Sequence, residues 1–418
     1  MNTLPTSSDP SWIDAIPAEL AALDAAHLIR RRRSVRPAGG ASLWVDGRKM
    51  LAFCSNDYLG LSQHLALRAA AVGAVGEYGV GSGSSPMVSG HSEANAALET
   101  ELAEFVGLER ALYFYAGYAT NASIVPALVG PGDALFSDAL NHACLIDGAR
   151  LSKADIHRYA HADLPQLDAL LGACGARRKM VISDAVFSMD GDVADIPALI
   201  ALCERHDALL LLDDAHGFGV RGPQGRGSLA AVDRIRAHAN RRVLYMATLG
   251  KAAGVAGAFV AGSDTLVEWL LQKTRSYTFA TAAPALLAEC VREALRVMAG
   301  EPERLAQLNR NIARFRAGLP LAIAGTTWQL LPSQTAVQAL IIGANDEALR
   351  VMQKLAEAGI WVPAIRPPTV AKGTARLRIA LSAAHDATDI DTLLAALATA
   401  ASTAPQARHE EVGLSTPA

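Results

Sequence analysis

Between residues 130 and 260 four short apolar runs, Ala134–Phe136, Met180–Ser183, Leu209–Leu212 and Val243–Ala247, recur with helically patterned stretches between them. Their apolarity is continuous rather than alternating, so each predicts a strand covered on both faces. That is how the strands of a parallel sheet flanked by helices read. The chain is therefore expected to be α/β. With 418 residues, 51% of them hydrophobic and 19% charged, it can bury a large core and form two domains. Ligands of such sheets gather at the carboxyl ends of the strands, and the candidates for chemistry are sought there.

The run Val243–Ala247 leads into Thr248-Leu249-Gly250-Lys251, which places one lysine in a small-residue turn. An amine held there can condense with a carbonyl if its pKa is lowered, although a lysine after a strand is more often a solvated strand end. The run Leu209–Leu212 ends in Asp213-Asp214-Ala215-His216-Gly217. Pyridoxal phosphate needs a lysine for its Schiff base and an acid facing its ring nitrogen, and these two strand ends supply both. Taken singly, Asp213 also reads as a helix N-cap. Strand Ala111–Phe114 is followed by Ala116-Gly117-Tyr118-Ala119-Thr120-Asn121, a glycine turn into a helix start that can hold a phosphate. Tyr118 reads either as lying against an aromatic ring or as a core tyrosine. His142 and Ser188 follow two further strand ends.

Other classes find little support. A net charge of −3 gives no case for nucleic acid. The one dense basic run, Arg30 to Arg33, reads as a solvated helix end or as a contact for an anionic substrate. Cys54, Cys144, Cys174, Cys203 and Cys290 are scattered, without a Cys-x-x-Cys pair, which suits a reducing compartment and argues against structural zinc. The N-terminus lacks a basic region followed by an apolar one, and no eighteen consecutive apolar residues occur, so a soluble, cytoplasmic protein without membrane contact is expected.

Along the chain, residues 1–10 and 403–418 are expected to be mobile tails, and 11–33 a helix leading into the basic run. A strand pair is expected near Leu43–Val45 and Met50–Phe53. Gly79–Gly90 is too rich in Gly and Ser for a regular element, being either a ligand-approaching or an ordinary flexible loop. Ala94–Val106 is a helix, 285–318 a long helical linker, and 327–400 a smaller α+β unit with strands Thr335–Ile342, Ile360–Val362 and Arg376–Leu381. Thr388-Asp389-Ile390-Asp391 is expected to cap a last helix. Arg366 and Arg378 read as carboxylate clamps or as surface arginines. The implied division is an N-terminal helix and arm (1–55), a large domain (56–290), a small domain (291–402) and a tail (403–418).

Five motifs, Ser-Asn-Asp-Tyr-Leu-Gly-Leu (55–61), Leu-Asn-His-Ala (140–143), Phe-Ser-Met-Asp-Gly-Asp (187–192), Asp-Asp-Ala-His-Gly (213–217) and Thr-Leu-Gly-Lys (248–251), together resemble the α-oxoamine synthases. These are fold-type I pyridoxal phosphate enzymes, and the resemblance covers nearly all of residues 20–400. It implies a large domain with a mostly parallel seven-stranded sheet, a smaller α+β C-terminal domain, and pyridoxal 5'-phosphate as cofactor. Lys251 would be the Schiff-base lysine, Asp213 the ring-nitrogen partner and His142 the imidazole stacked on the ring. Ser188 and His216 would face the ring's 3-oxygen, with Gly117, Tyr118 and Thr248 around the phosphate. Arg378 would bind the amino-acid carboxylate, and Arg366, Thr369, Asn56 and Arg30 would lie nearer the acyl substrate. The stretches Ala364–Val370 and Gly373–Arg378 point to the branch that condenses L-alanine with a pimeloyl thioester, on coenzyme A or acyl-carrier protein. A glycine-using synthase with another acyl-CoA is the alternative. The resemblance also implies a homodimer in which Thr281 reaches the neighbouring subunit's phosphate site. Two departures from the family pattern stand out: Cys144 where serine is usual, and Gly81-Ser82-Gly83-Ser84-Ser85-Pro86 in the glycine-rich loop.

Overall fold

A computed structural model describes residues 12–232 and 239–402. Seven strands form the central sheet: β1 (Arg110–Phe114), β2 (Ala134–Asp138), β3 (Asp155–Tyr159), β4 (Lys179–Asp184), β5 (Ala208–Asp213), β6 (Val243–Thr248) and β7 (Ala258–Gly262). Their order is β1-β7-β6-β5-β4-β2-β3, and only β7 runs against its neighbours. The four apolar runs are β2, β4, β5 and β6. Val181, Leu210, Leu212 and Tyr245 pack on one face, and Met180, Ile182, Leu211 and Leu244 on the other, so both faces are covered as continuous apolarity requires. Each such fully buried aliphatic side chain stabilises the fold by about 1.5–3 kcal/mol. β3 carries no apolar run because it is the sheet's edge, and three of its five residues are exposed.

Helices Gly117–Leu128 and Ala143–Ser152 cover one face of the sheet through Ile124, Val125, Leu145 and Ala149. Helices Glu93–Val106, Ile196–Arg205 and Ala285–Gly300 cover the other through Leu98, Leu102, Leu199 and Val291. A smaller antiparallel sheet takes strands Gln329–Leu330, Val337–Gly343, Ala375–Ala380 and Ala364–Ile365 in that order. Helices Asn345–Glu357 and Ala387–Ala401 back it. A third sheet joins strands Val35–Pro37, Ser42–Val45 and Arg48–Ala52 to Ile360–Trp361, so the N-terminal segment is hydrogen-bonded to the C-terminal part of the chain.

Four sequence expectations are corrected. The first helix spans Trp12–Ala25 and not 11–33: His27 takes a left-handed conformation, φ 56°, and Arg30 to Arg33 lie in no helix. The loop 79–90 contains a five-residue π-helical turn, Pro86–Gly90. The supposed helical linker is two helices, Ala285–Gly300 and Glu303–Ala322, broken where Pro302 has no N–H to continue the first ladder. The last helix is capped by Asp386, whose carboxylate accepts from the Asp389 N–H at 2.9 Å while Asp389 accepts from the Asp386 N–H at 3.0 Å. Thr388 therefore lies inside the first turn. The expected tails, 1–10 and 403–418, lie outside the described residues.

Candidate active site

The carboxyl ends of β2, β4, β5 and β6 converge, and a cavity there is lined by Gly117, Tyr118, His142, Asp213, His216, Thr248 and Lys251. Lys251 sits half-buried in the turn after β6, with its Nζ 2.8 Å from His216 Nε2. Removal from water disfavours the ammonium and brings the lysine down to about 8, although Asp213 and Asp184 oppose the shift. The amine is thus available in its neutral form near physiological pH. His216 is buried, and burial together with the Lys251 and Arg378 cations holds it well below the usual imidazole range. It is a neutral ring.

Asp213 ends β5 at 3% exposure. Its Oδ2 accepts from Asn121 Nδ2 at 2.6 Å and its Oδ1 from the Ala215 N–H at 2.9 Å. A carboxylate has about four acceptor positions, so capacity for a further donor remains. His142 caps helix Ala143–Ser152, its Nδ1 accepting from the Cys144 N–H at 3.2 Å, while its own N–H donates to Asp184 Oδ2 at 2.6 Å. Partial burial, reinforced by the Lys251 charge, lowers the His142 pKa against the pull of Asp213. A neutral ring accepting at Nδ1 carries its proton on Nε2. Asp184 is fully enclosed beside Asp213, and both burial and that neighbour raise its pKa well above the usual carboxylate range.

Gly117 opens helix Gly117–Leu128, and Ala116 before it offers no side-chain cap. A Cβ at Gly117 would stand 2.8 Å from Thr248 Cγ2, so only glycine fits there. The first N–H groups of this helix are free to hold an anion, which the helix dipole favours. Tyr118 is exposed, so the core reading of it fails, and its hydroxyl bonds to the Asp147 carboxylate.

From the smaller sheet, Arg378 reaches the same end of the molecule. It is 6% exposed, its Nε donates to the Ser188 carbonyl at 2.6 Å, and its Nη1 donates to Asn56 Oδ1 at 3.2 Å. The Ser188 loop is held from three sides: Arg376 pairs with Asp190, Ser333 and Thr335 donate to the Gly191 carbonyl, and His161 bridges Asp138 and Asp192.

The structure thus unites Lys251, Asp213, His142, His216, Gly117, Tyr118 and Thr248, and links Asn56, Ser188 and Arg378 to them through hydrogen bonds. Arg30, Arg366 and Thr369 line a second cavity of about 250 Å³, where Arg30 Nη2 donates to Thr369 Oγ1 at 3.3 Å. Burial, with Arg30 nearby, lowers the Arg366 pKa, and neither arginine forms an ion pair with a carboxylate among the described residues. Thr281 is exposed and bonds to none of these groups. Sequence reasoning missed roles for Asn121, Tyr58, Asp184 and His161. Asp184 carried the same signal as Asp213, a carboxylate at a strand end. The larger cavity of about 690 Å³, near Arg177, Lys179 and Trp269, opens at the opposite, amino ends of the strands.

The sequence profile of the family described as aminotransferase class I and II matches residues 48–397. An 8-amino-7-oxononanoate synthase of Paracidovorax citrulli is 68% identical over 98% of this chain and 99% of its own length. Among solved structures, a serine palmitoyltransferase from S. paucimobilis with bound PLP superposes with a TM-score of 0.85 at 26% identity, over 93% of this chain and 97% of that one. An 8-amino-7-oxononanoate synthase from Francisella tularensis superposes with a TM-score of 0.71 at 27% identity, over 84% and 97%.

Proposed function

The chain belongs to the class I and II aminotransferases and, within them, to the 8-amino-7-oxononanoate synthases; from that premise we infer that it joins L-alanine to a pimeloyl thioester with loss of carbon dioxide. The products are 8-amino-7-oxononanoate and a free thiol carrier, a step of biotin synthesis. Identity of 68% with a synthase of this kind outweighs the higher TM-score of the serine palmitoyltransferase, which at 26% identity reflects the shared scaffold.

The residues fit pyridoxal 5'-phosphate, the cofactor of the reaction. A lysine at about 8, a buried carboxylate anchored on both oxygens, and an uncapped helix start with a mandatory glycine stand around one cavity. When bound there, the cofactor supplies an electron sink for the amino acid's α-carbon.

The observation that carries the reading is the joint position of Lys251 and Asp213 at adjacent strand ends. Lys251 would hold the cofactor and, once displaced by alanine, would take the α-proton on Nζ and later return it. Asp213, steadied by Asn121 and Ala215, would keep a proton on the ring nitrogen. Gly117, Tyr118 and Thr248 would hold the phosphate, Ser188 and His216 would face the 3-oxygen, and His142 would lie against the ring. Arg378 fixes the alanine carboxylate through donors not spent on Ser188 and Asn56, and Arg30, Arg366, Asn56 and Thr369 hold the acyl substrate.

Two finer readings accompany this one. The active unit is a homodimer whose sites borrow Thr281, supported by the exposure of Val72, Val80, Val88 and Phe279 and of every apolar residue on helix Trp12–Ala25. The setting is cytoplasmic, supported by five free cysteines. No helix among the described residues is long and apolar enough to cross a membrane. We place the end of the N-terminal arm near residue 55 and, because helix Ala285–Gly300 is continuous and packs Val291 on the large sheet, the end of the large domain after that helix rather than at 290.

The test is product analysis with the cofactor-loaded protein, offering alanine or glycine against pimeloyl groups on coenzyme A and on acyl-carrier protein. The expected result is 8-amino-7-oxononanoate from alanine with at least one carrier. A higher kcat/KM for glycine would overturn the assignment.

A further inference from the structure

Five residues from four parts of the chain form one unbroken line of hydrogen bonds: Lys251, His216, Tyr58, Asn56 and Arg378. The contacts are 2.8 Å from Lys251 Nζ to His216 Nε2, 2.6 Å from His216 Nδ1 to the Tyr58 hydroxyl, 3.1 Å from that hydroxyl to Asn56 Oδ1, and 3.2 Å from Asn56 Oδ1 to Arg378 Nη1. The directions of these bonds follow from the chemistry of the Arg378 end. A guanidinium only donates, so the Asn56 atom facing it is the amide oxygen. The Tyr58 hydroxyl faces that same oxygen and must donate to it. Its remaining capacity towards His216 is as an acceptor, so Nδ1 carries the proton of the neutral ring. The bare lone pair is left at Nε2, pointing at the Lys251 amine.

We propose that Tyr58 is a positioning residue for Lys251: its hydroxyl, aimed by Asn56 and Arg378, locks His216 in the tautomer whose Nε2 accepts a proton-bearing Lys251. Tyr58 is fully buried and His216 is 5% exposed, so the bond between them is shielded from bulk water. The inference rests on the assignment of Lys251 as the cofactor's lysine. The other charged or titratable groups facing that amine are Asp213, Asp184, Arg378, Cys144 and His142. Of these only Arg378 reaches Tyr58, through Asn56 and also directly, where the guanidinium donates to the hydroxyl and leaves its proton for Asn56.

With Tyr58→Phe, Nδ1 loses its acceptor. His216 is then free to carry its proton on Nε2, where it opposes the ammonium form of Lys251. The titration of Lys251 should move down by about one pH unit, the effect expected of one charge-assisted hydrogen bond. It is read from the pH dependence of the rate at which pyridoxal phosphate adds back to the stripped full-length protein, since only the neutral amine reacts. Borohydride reduction and peptide mapping identify the lysine that reacted. His216→Asn should abolish the response, so that adding Tyr58→Phe to it produces no further shift. A purely structural role for the hydroxyl would lower the melting temperature and leave the titration where it was. If Tyr58→Phe does not fold, Asn56→Ala serves instead: it frees the hydroxyl to donate to Nδ1 and should give the same downward shift. An unchanged titration in whichever of these variants folds, or an equal shift in the absence of His216, overturns the proposal while leaving Lys251 as the cofactor's lysine. Mapping of the reduced adduct to another lysine in the unaltered protein overturns the functional assignment instead.

Discussion

Lys251 Nζ and His216 Nε2 stand 2.8 Å apart at the ends of two adjacent parallel strands, each residue three positions past the last residue of its strand. A buried amine beside a neutral imidazole titrates low, at about 8, because the surroundings penalise its charge and the ring adds none. Cofactor loading should therefore rise with pH through a midpoint near 8. Lys251→Ala should remain folded and retain pyridoxal phosphate only reversibly, as measured by loss of the cofactor on desalting, with no turnover. A Lys251→Ala protein that keeps both a borohydride-fixable adduct and activity would refute the role.

Asp213→Asn keeps the shape of the side chain and removes the charge proposed to hold a proton on the ring nitrogen. Turnover should fall by on the order of 10²-fold or more. Asn121→Ala removes the 2.6 Å donor to Asp213 Oδ2 while leaving the carboxylate, and should cost about 10-fold. Comparing the two variants by α-proton exchange of alanine in deuterated water checks both, and an Asn121→Ala loss equal to that of Asp213→Asn would mean that Asn121 does more than steady the carboxylate.

His161 donates to Asp138 at 3.0 Å and Asp192 at 2.8 Å, and these hydrogen bonds raise its pKa from 6.5 to about 10. A group whose folded pKa is raised contributes stability in full below its unfolded value, and that contribution is lost as pH rises through the folded one. His161→Gln should thus lower the melting temperature at pH 6, with the difference from the unaltered protein shrinking between about pH 6.5 and pH 10. Because the bridge also steadies the loop that offers the Ser188 carbonyl to Arg378, KM for alanine should rise more than KM for the thioester. A pH-independent difference in melting temperature would show that the imidazolium is not what holds the loop.

A single chain leaves Thr281 exposed and away from the group around Lys251. If sites are shared in a homodimer, mixing inactive Lys251→Ala chains with inactive Thr281→Arg chains should restore part of the activity, since one hybrid site receives both intact residues. Sedimentation at assay concentration gives the independent check, and full activity from a monomer would exclude sharing.

The periodicity of the sequence determined the class of the fold and the ends of its central strands. Continuous apolarity in β2, β4, β5 and β6 is a local consequence of being covered on both faces, and the residue after a buried strand is found by counting. Asp213, His142, Gly117 and Lys251 were legible for that reason, each lying at or just past a strand end, although what they hold was supplied by motif resemblance. Tertiary structure alone decided which of these ends meet the smaller sheet. Tyr58 and His216 are 158 positions apart, Arg376 and Asp190 are 186 apart, and no local pattern in β3 or in the Ser188 loop announces their partners. Their pairing is set by the crossing of chain segments that are distant in sequence, and a hydrogen bond's direction follows from what its partner can donate or accept. That is why the lysine could be read from the sequence, and why the line of residues that orients the proton beside it became visible only once the chain was folded.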